Sequence, residues 1–258
     1  MRAPATILLL WLGLANAASP PQRILETVVP ALEYGPACSS TITLRNLADR
    51  PMVVEVEGHR SDGALAPFED RPGMRLKLAA GESAALRLRI EDSETDAWVR
   101  VREPLDEDGP PRIAVSGSTA CQAGNQLREV SRRAAYPLHS PWYSEDAGRR
   151  TEGAVILLVN AAPKPARARL CASAAGYYTA ARKGGEVEYR PVCSSESDVQ
   201  IPPFGARRFA LADYPGSLRL RTSGDAIVLQ MLRPLDEANH VFVVDSTIRF
   251  GEEVAPKP

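Results

Sequence analysis

Period-two alternation of apolar and charged residues constrains this chain more than any other feature. Ala84-Ala85-Leu86-Arg87-Leu88-Arg89-Ile90 places Leu86, Leu88 and Ile90 on one face and the arginines on the other. Trp98-Val99-Arg100-Val101-Arg102, Ala166-Arg167-Ala168-Arg169-Leu170 and Ser217-Leu218-Arg219-Leu220-Arg221 repeat the pattern. Successive side chains of a strand point to opposite faces, so these runs read as antiparallel strands with one buried face. Turn formers separate them at Asp62-Gly63, Pro72-Gly73, Gly109-Pro110-Pro111, Gly184-Gly185 and Ser223-Gly224-Asp225. Short strands at such spacing indicate a sandwich or barrel. Gln126–Arg133 is the single candidate for a helix.

The pattern also occurs twice. Thr41-Ile42-Thr43-Leu44-Arg45-Asn46 matches Val155-Ile156-Leu157-Leu158-Val159-Asn160, 114 positions later. Leu76, Leu78, Leu86 and Leu88 then match Val199, Ile201, Phe209 and Leu211. Val99 and Val101 match Leu218 and Leu220; Pro111 to Val115 matches Asp225 to Leu229; Ala123-Gly124-Asn125 matches Ala238-Asn239. Order is kept and the offsets drift only by loop-sized amounts, the mark of a tandem duplication. The expected fold is all-β, two tandem antiparallel β-sandwich domains. The expected division is a signal peptide over residues 1–17, one sandwich over 18–137, a second over 138–251, and a flexible tail over 252–258.

The first residues carry Arg2, an apolar run from Ile7 to Leu14, and Ala15-Asn16-Ala17, the layout of a cleavable secretory signal. The run is shorter than the roughly 20 apolar residues that span a bilayer. No later segment reads as a membrane span, so the mature chain is expected in the periplasm or secreted. Four cysteines suit an oxidising compartment. Of the three possible connectivities, Cys38–Cys121 and Cys171–Cys193 keep each bridge within one half. No C-x-x-C pair or histidine at ligand spacing suggests a metal, and no cofactor is expected. The formal net charge of −1 speaks against a nucleic-acid partner. Arginines number 27 against four lysines, but acids balance them along the chain.

Residues 150–250 hold a more specific set of signals. Ala154 to Ala161 is an apolar strand containing Asn160. Val199-Gln200-Ile201-Pro202 contains a proline, Ala226 to Arg233 ends in Gln230, Met231, Leu232 and Arg233, and Asp236, Asn239 and Ser246-Thr247-Ile248-Arg249-Phe250 follow. Together they resemble the sensory rhodopsin transducer family, the first half reading as a divergent copy. The resemblance implies a small β-sandwich, often oligomeric, acting in signalling or small-ligand binding and not in catalysis. Pro234, the short Asp236-to-Asn239 spacing and the export signal depart from the family, so a photoreceptor partner is not carried over. Asn160, Gln230, Arg233, Asp236 and Asn239 gather at strand ends, where sandwiches present polar groups, and are the candidate ligand-binding residues. Arg233 and Asp236 read first as an ion pair that pins a loop and second as ligand contacts.

No G-x-S-x-G elbow, H-E-x-x-H pair or phosphate loop occurs. The acidic stretch Asp92 to Asp96 has Ala97 where a calcium loop needs glycine, and reads as an inter-strand loop. The expectation is therefore a non-enzymatic exported protein that binds a small ligand, a glycan or an envelope protein, with assembly into a homo-oligomer left open. Two alternatives stand beside it. One is a two-domain periplasmic chaperone of immunoglobulin-like type offering Leu86, Leu88 and Ile90 as an edge strand. The other is a hydrolase with a dispersed site.

Overall fold

The computed structural model describes residues 23–68, 73–88, 95–105, 110–123, 125–145, 153–173, 178–183, 186–191, 193, 195–234 and 242–245. The expected signal peptide, the Asp92 loop, Gly124, Asp236, Asn239, the Ser246-to-Phe250 segment and the tail lie outside them.

The first half contains β1 (Arg23–Tyr34), β2 (Cys38–Asn46), β3 (Met52–Arg60), β4 (Leu65–Ala66), β5 (Gly73–Leu78), β6 (Ser83–Arg87), β7 (Thr95–Leu105), β8 (Ile113–Ala123) and β9 (Gln126–Arg133). The second contains β10 (Trp142–Glu145), β11 (Val155–Asn160), β12 (Ala166–Ser173), β13 (Tyr178–Lys183), β14 (Glu186–Pro191), β15 (Ser195–Ile201), β16 (Ala206–Ala210), β17 (Ser217–Ser223), β18 (Ile227–Pro234) and β19 (Phe242–Asp245). All the pairings among them are antiparallel.

Sheet I runs β1-β7-β3-β4, with β5 also on β3, and sheet II runs β6-β2-β8-β9. Sheet III runs β10-β17-β12-β15 and sheet IV runs β16-β11-β18-β19. Replacing β1, β7, β3 and β5 by β10, β17, β12 and β15 turns sheet I into sheet III. Replacing β6, β2, β8 and β9 by β16, β11, β18 and β19 turns sheet II into sheet IV. The two sandwiches therefore share one strand order. The β13–β14 hairpin fills the interval that β4 fills in the first half.

Alternation builds each core. Val54 and Val56 of β3, Val99 and Val101 of β7, and Ile42 and Leu44 of β2 meet between sheets I and II. Ala168 and Leu170 of β12, Leu218 and Leu220 of β17, and Ile156 and Leu158 of β11 meet between sheets III and IV. Each fully buried aliphatic side chain contributes about 1.5–3 kcal/mol. Gly117 is required at the first core, because any side chain there would meet Val29.

Cys38 and Cys121 are register partners on β2 and β8 and form one disulfide; Cys171 of β12 bonds Cys193. Gln126–Arg133 is a strand, not a helix. It folds back on β8 as a hairpin and alternates, burying Val130 and Arg132 while Leu127, Glu129, Ser131 and Arg133 stay exposed. Eight residues are too few for a helix to compete with a full ladder of backbone bonds.

Candidate functional site

The two sandwiches meet through faces that alternation alone would assign to solvent. With Val99 and Val101 in the first core, Trp98 and Arg100 point out of sheet I. They are nonetheless 1% and 5% exposed, because residues of the second half cover them. The Trp98 indole Nε1 donates to the Phe204 carbonyl at 3.0 Å, and Arg100 Nη1 donates to the Ala161 carbonyl at 3.3 Å. His59 of β3 lies stacked between the Trp98 and Phe204 rings, at 4.6 and 5.0 Å between centroids. The Arg100 guanidinium carbon sits 4.7 Å from the centre of the same Phe204 ring, a cation–π geometry. A backbone bond, Ala206 N–H to the Ser61 carbonyl at 2.8 Å, joins the halves directly. Phe204 takes φ of 54°, a left-handed conformation that non-glycine residues hold only when their surroundings over-determine it. Gly63, at φ 92°, turns beneath Pro203, whose carbonyl occupies the place of any Cβ.

Two charge clusters flank this stack. Arg100 bonds Glu57 and lies 3.6 Å from Glu26, which also holds Arg102 at 3.3 Å. Burial alone would raise the Glu57 carboxyl, but the hydrogen bond and charge of Arg100, helped by His59, hold it below its ordinary value. Burial and the nearby Arg100 charge push the His59 pKa down, against Glu57, whose carboxylate lies 3.5 Å from Nε2. The net effect favours the neutral imidazole. In the second cluster Arg208 of β16 crosses to Asp96 at 2.6 Å and to Glu33 at 3.4 Å. Burial raises the Asp96 carboxyl, opposed by Arg208 and Arg132. Arg132 is 1% exposed and reaches Thr119 Oγ1 at 3.4 Å.

Beside Trp98 and the second cluster is a cavity of about 240 Å³. Leu157, Val159 and Ala206 of the second half and Ala31 and Trp98 of the first form its apolar walls. Ser61, Asp96 and Arg208 supply polar groups. Ala31 helps to shape it: β1 shifts register between Val29 and Leu32, and Ala31 within the irregularity takes φ of 58°. A wider groove of about 630 Å³ lies over sheet II, but short side chains such as Thr43, Ser116 and Ser118 line it. The junction cavity is the better-built site, since charge, strain and both halves converge on it.

The candidate residues are placed as follows. Asn160 is fully buried at the end of β11 and serves the backbone around it. Its amide donates to the Lys164 and Pro202 carbonyls at 2.8 and 2.9 Å, and its Oδ1 accepts from Ala162 N–H at 3.2 Å. Asn46 repeats the arrangement at the end of β2, donating to Arg50, Leu78 and Ala79 and accepting from Ala48. Gln230 lies on the outer face of sheet IV between Val228 and Leu232, 7% exposed, and its Oε1 has no partner among the described residues. Arg233, near the end of β18, is the register partner of Val243 in β19. Asp236 and Asn239 lie outside the described residues, so the Arg233–Asp236 pair has no geometry here.

Sequence reasoning did not single out His59, Trp98, Arg100 or Arg208, and it read Asp96 as part of an inter-strand loop, whereas Asp96 lies in β7. The one available signal was Trp98, a large aromatic on a face otherwise assigned to water. Leu86 and Leu88 face the first core, Leu88 fully buried. Among the described residues, the one group of candidate metal ligands is Glu33 with Cys38 and Cys121, whose sulfurs are joined in the disulfide. No helix among the described residues is long and apolar enough to cross a membrane. No family model, curated protein or solved structure matches the chain.

Proposed function

We propose that this is an exported, non-catalytic binding protein whose ligand is a small, part-apolar molecule held in the junction cavity. The observation that carries the reading is that cavity itself: apolar walls from both sandwiches, with a carboxylate and a guanidinium in its lining. Ligand sites favour domain interfaces with apolar walls and a few polar groups. At about 240 Å³ the space suits a ligand below drug size, such as an aliphatic amino acid or a short-chain carboxylate. Asp96 would take an ammonium and Arg208 a carboxylate. Two disulfides and the signal-like first residues support export. The resemblance to the sensory rhodopsin transducer family, with its signalling or small-ligand roles, points the same way. The chaperone reading is weaker, because the side chains of Leu86 and Leu88 turn into the first core although β6 is an edge strand of sheet II.

Thermal unfolding of the mature, oxidised chain with a panel of aliphatic amino acids and short carboxylates tests the proposal. A ligand at 100 times its Kd adds about 2.7 kcal/mol, a rise of roughly 5–10 °C for a chain this long. Ala206→Leu, which grows into the cavity, should fold and lose the response. A panel without any shift, or an equal shift in Ala206→Leu, overturns the reading.

A further inference from the structure

Sheet III leaves an outer face with a different chemistry. Leu170, Leu218 and Leu220 point into the second core. Arg167 and Arg169 on β12 and Arg219 and Arg221 on β17 therefore point outward, and all four are exposed. Register sets Arg169 directly opposite Arg221. Neighbouring strands lie about 4.8 Å apart and alternate residues about 6.8 Å apart, so the four stems form a compact grid. Glu196 of β15 pairs with Arg169, and Asp198 of the same strand is its register partner. Among the described residues the register partners of these arginines on β15 are Gln200 and Asp198, and Arg169 stands opposite Arg221, a like-charge pairing that a sheet disfavours.

The first half shows what the same strands look like without that conflict. On sheet I, Arg100 and Arg102 of β7 stand opposite Glu57 and Glu55 of β3. Arg102 also faces Glu26 of β1, and Glu55 faces Arg75 of β5. Charges there alternate from strand to strand. In the second half the equivalent Arg219 and Arg221 stand opposite Cys171 and Arg169. A general richness in arginine accounts for arginines in both copies, not for the exchange of their two acidic register partners on the neighbouring strand for Cys171 and Arg169.

What surrounds the grid identifies its occupant. Trp142 of β10 stands opposite Arg221 and Ser144 opposite Arg219, while Gln200 of β15 stands opposite Arg167. Gln200 and Ser144 are exposed, whereas Trp142 is half-buried. Guanidinium forks hold carboxylate or sulfate by paired hydrogen bonds, and the flanking exposed amide and hydroxyl suit sugar hydroxyls. A lipid surface fits less well. Among the described residues the exposed large hydrophobic residues are Ile24, Leu47, Leu65, Leu127, Tyr136 and Leu138, none of them on this sheet. We propose that the outer face of sheet III binds an anionic polysaccharide laid across β12 and β17.

Calorimetric titration of the full oxidised chain at physiological ionic strength tests this, with alginate as the uronate probe, heparin as the sulfated probe, and phosphatidylglycerol vesicles beside them. Arg167→Glu with Arg219→Glu alters the grid. Arg45→Glu with Arg87→Glu makes the same charge change on sheet II, where both residues are exposed. The wild type should bind at least one glycan, and which one names the acidic group. The grid variant should bind at least tenfold more weakly, and the sheet II variant within twofold of wild type. Arg167→Gln with Arg219→Gln repeats the test should the charge reversal impair folding. Failure to bind either glycan, equal losses in the two reversals, or binding to vesicles alone overturns the proposal.

Discussion

Replacing Asn160 by alanine should destabilise the second sandwich without acting through any ligand. The side chain is fully buried and makes three hydrogen bonds to main-chain groups. Alanine leaves the Ala162 N–H without a partner, at about 1–3 kcal/mol for a buried group. The Pro202 carbonyl keeps its bond from Gly205 N–H, and Lys164 is exposed, so water replaces part of its bond. The cost is about 1–3 kcal/mol, or roughly 2–12 °C for a chain this long. Asn160→Asp should be at least as harmful. It keeps an acceptor for Ala162 but turns an anion toward two carbonyls. Asn46→Ala should cost at least as much as Asn160→Ala, because Asn46 makes four bonds. Differential scanning calorimetry of the oxidised chain measures all three. An Asn160→Ala variant that unfolds with the wild type while losing a ligand would refute the reasoning and return Asn160 to the binding site.

Further outcomes follow from the junction and the disulfides. The folded His59 pKa lies below the unfolded value of about 6.5, so between the two the unfolded chain binds more protons. Its contribution is full above about pH 6.5 and is lost as the pH falls toward the folded value. His59→Phe should flatten that slope in midpoint measurements from pH 7.5 to 5, and a parallel pair of curves would contradict this. Arg208→Ala should cost about 1–2 kcal/mol in denaturant unfolding, discounted because Arg208 and Asp96 are 26% and 39% exposed. Asp96→Asn should cost less, since burial already favours the neutral form. The disulfides close separations of 83 and 22 residues, worth about 4.5 and 3.4 kcal/mol by loop entropy. Removing both cysteines of the Cys38–Cys121 pair should therefore lower stability by about 1 kcal/mol more than removing those of Cys171–Cys193.

The strands were legible because their period is local: Leu218 and Leu220 could be assigned inward from five residues of sequence. The equivalence of Asn46 and Asn160 was legible because each ends an apolar run, but not their role, which depends on carbonyls 32 to 42 residues away. The helix candidate at Gln126–Arg133 failed because hairpin pairing with β8 outweighs eight residues of local preference. The junction was hidden by the logic that revealed the strands. Alternation separates Trp98 and Arg100 from the core of their own sandwich, but it carries no information about a second sandwich covering them. The cross-junction partners of Asp96 and Trp98 lie more than 100 residues further along the chain.

The central claim is that one ligand site is built jointly by the two halves. Backbone amide chemical shifts of the isotopically labelled mature chain, followed through titration with the ligand that gives the largest thermal shift, test it most directly. The account predicts changes at Ala31 and Ala97 in the first half together with Leu157 and Ala206 in the second, saturating at one concentration. Changes confined to one half, or centred on the groove over sheet II, would contradict it.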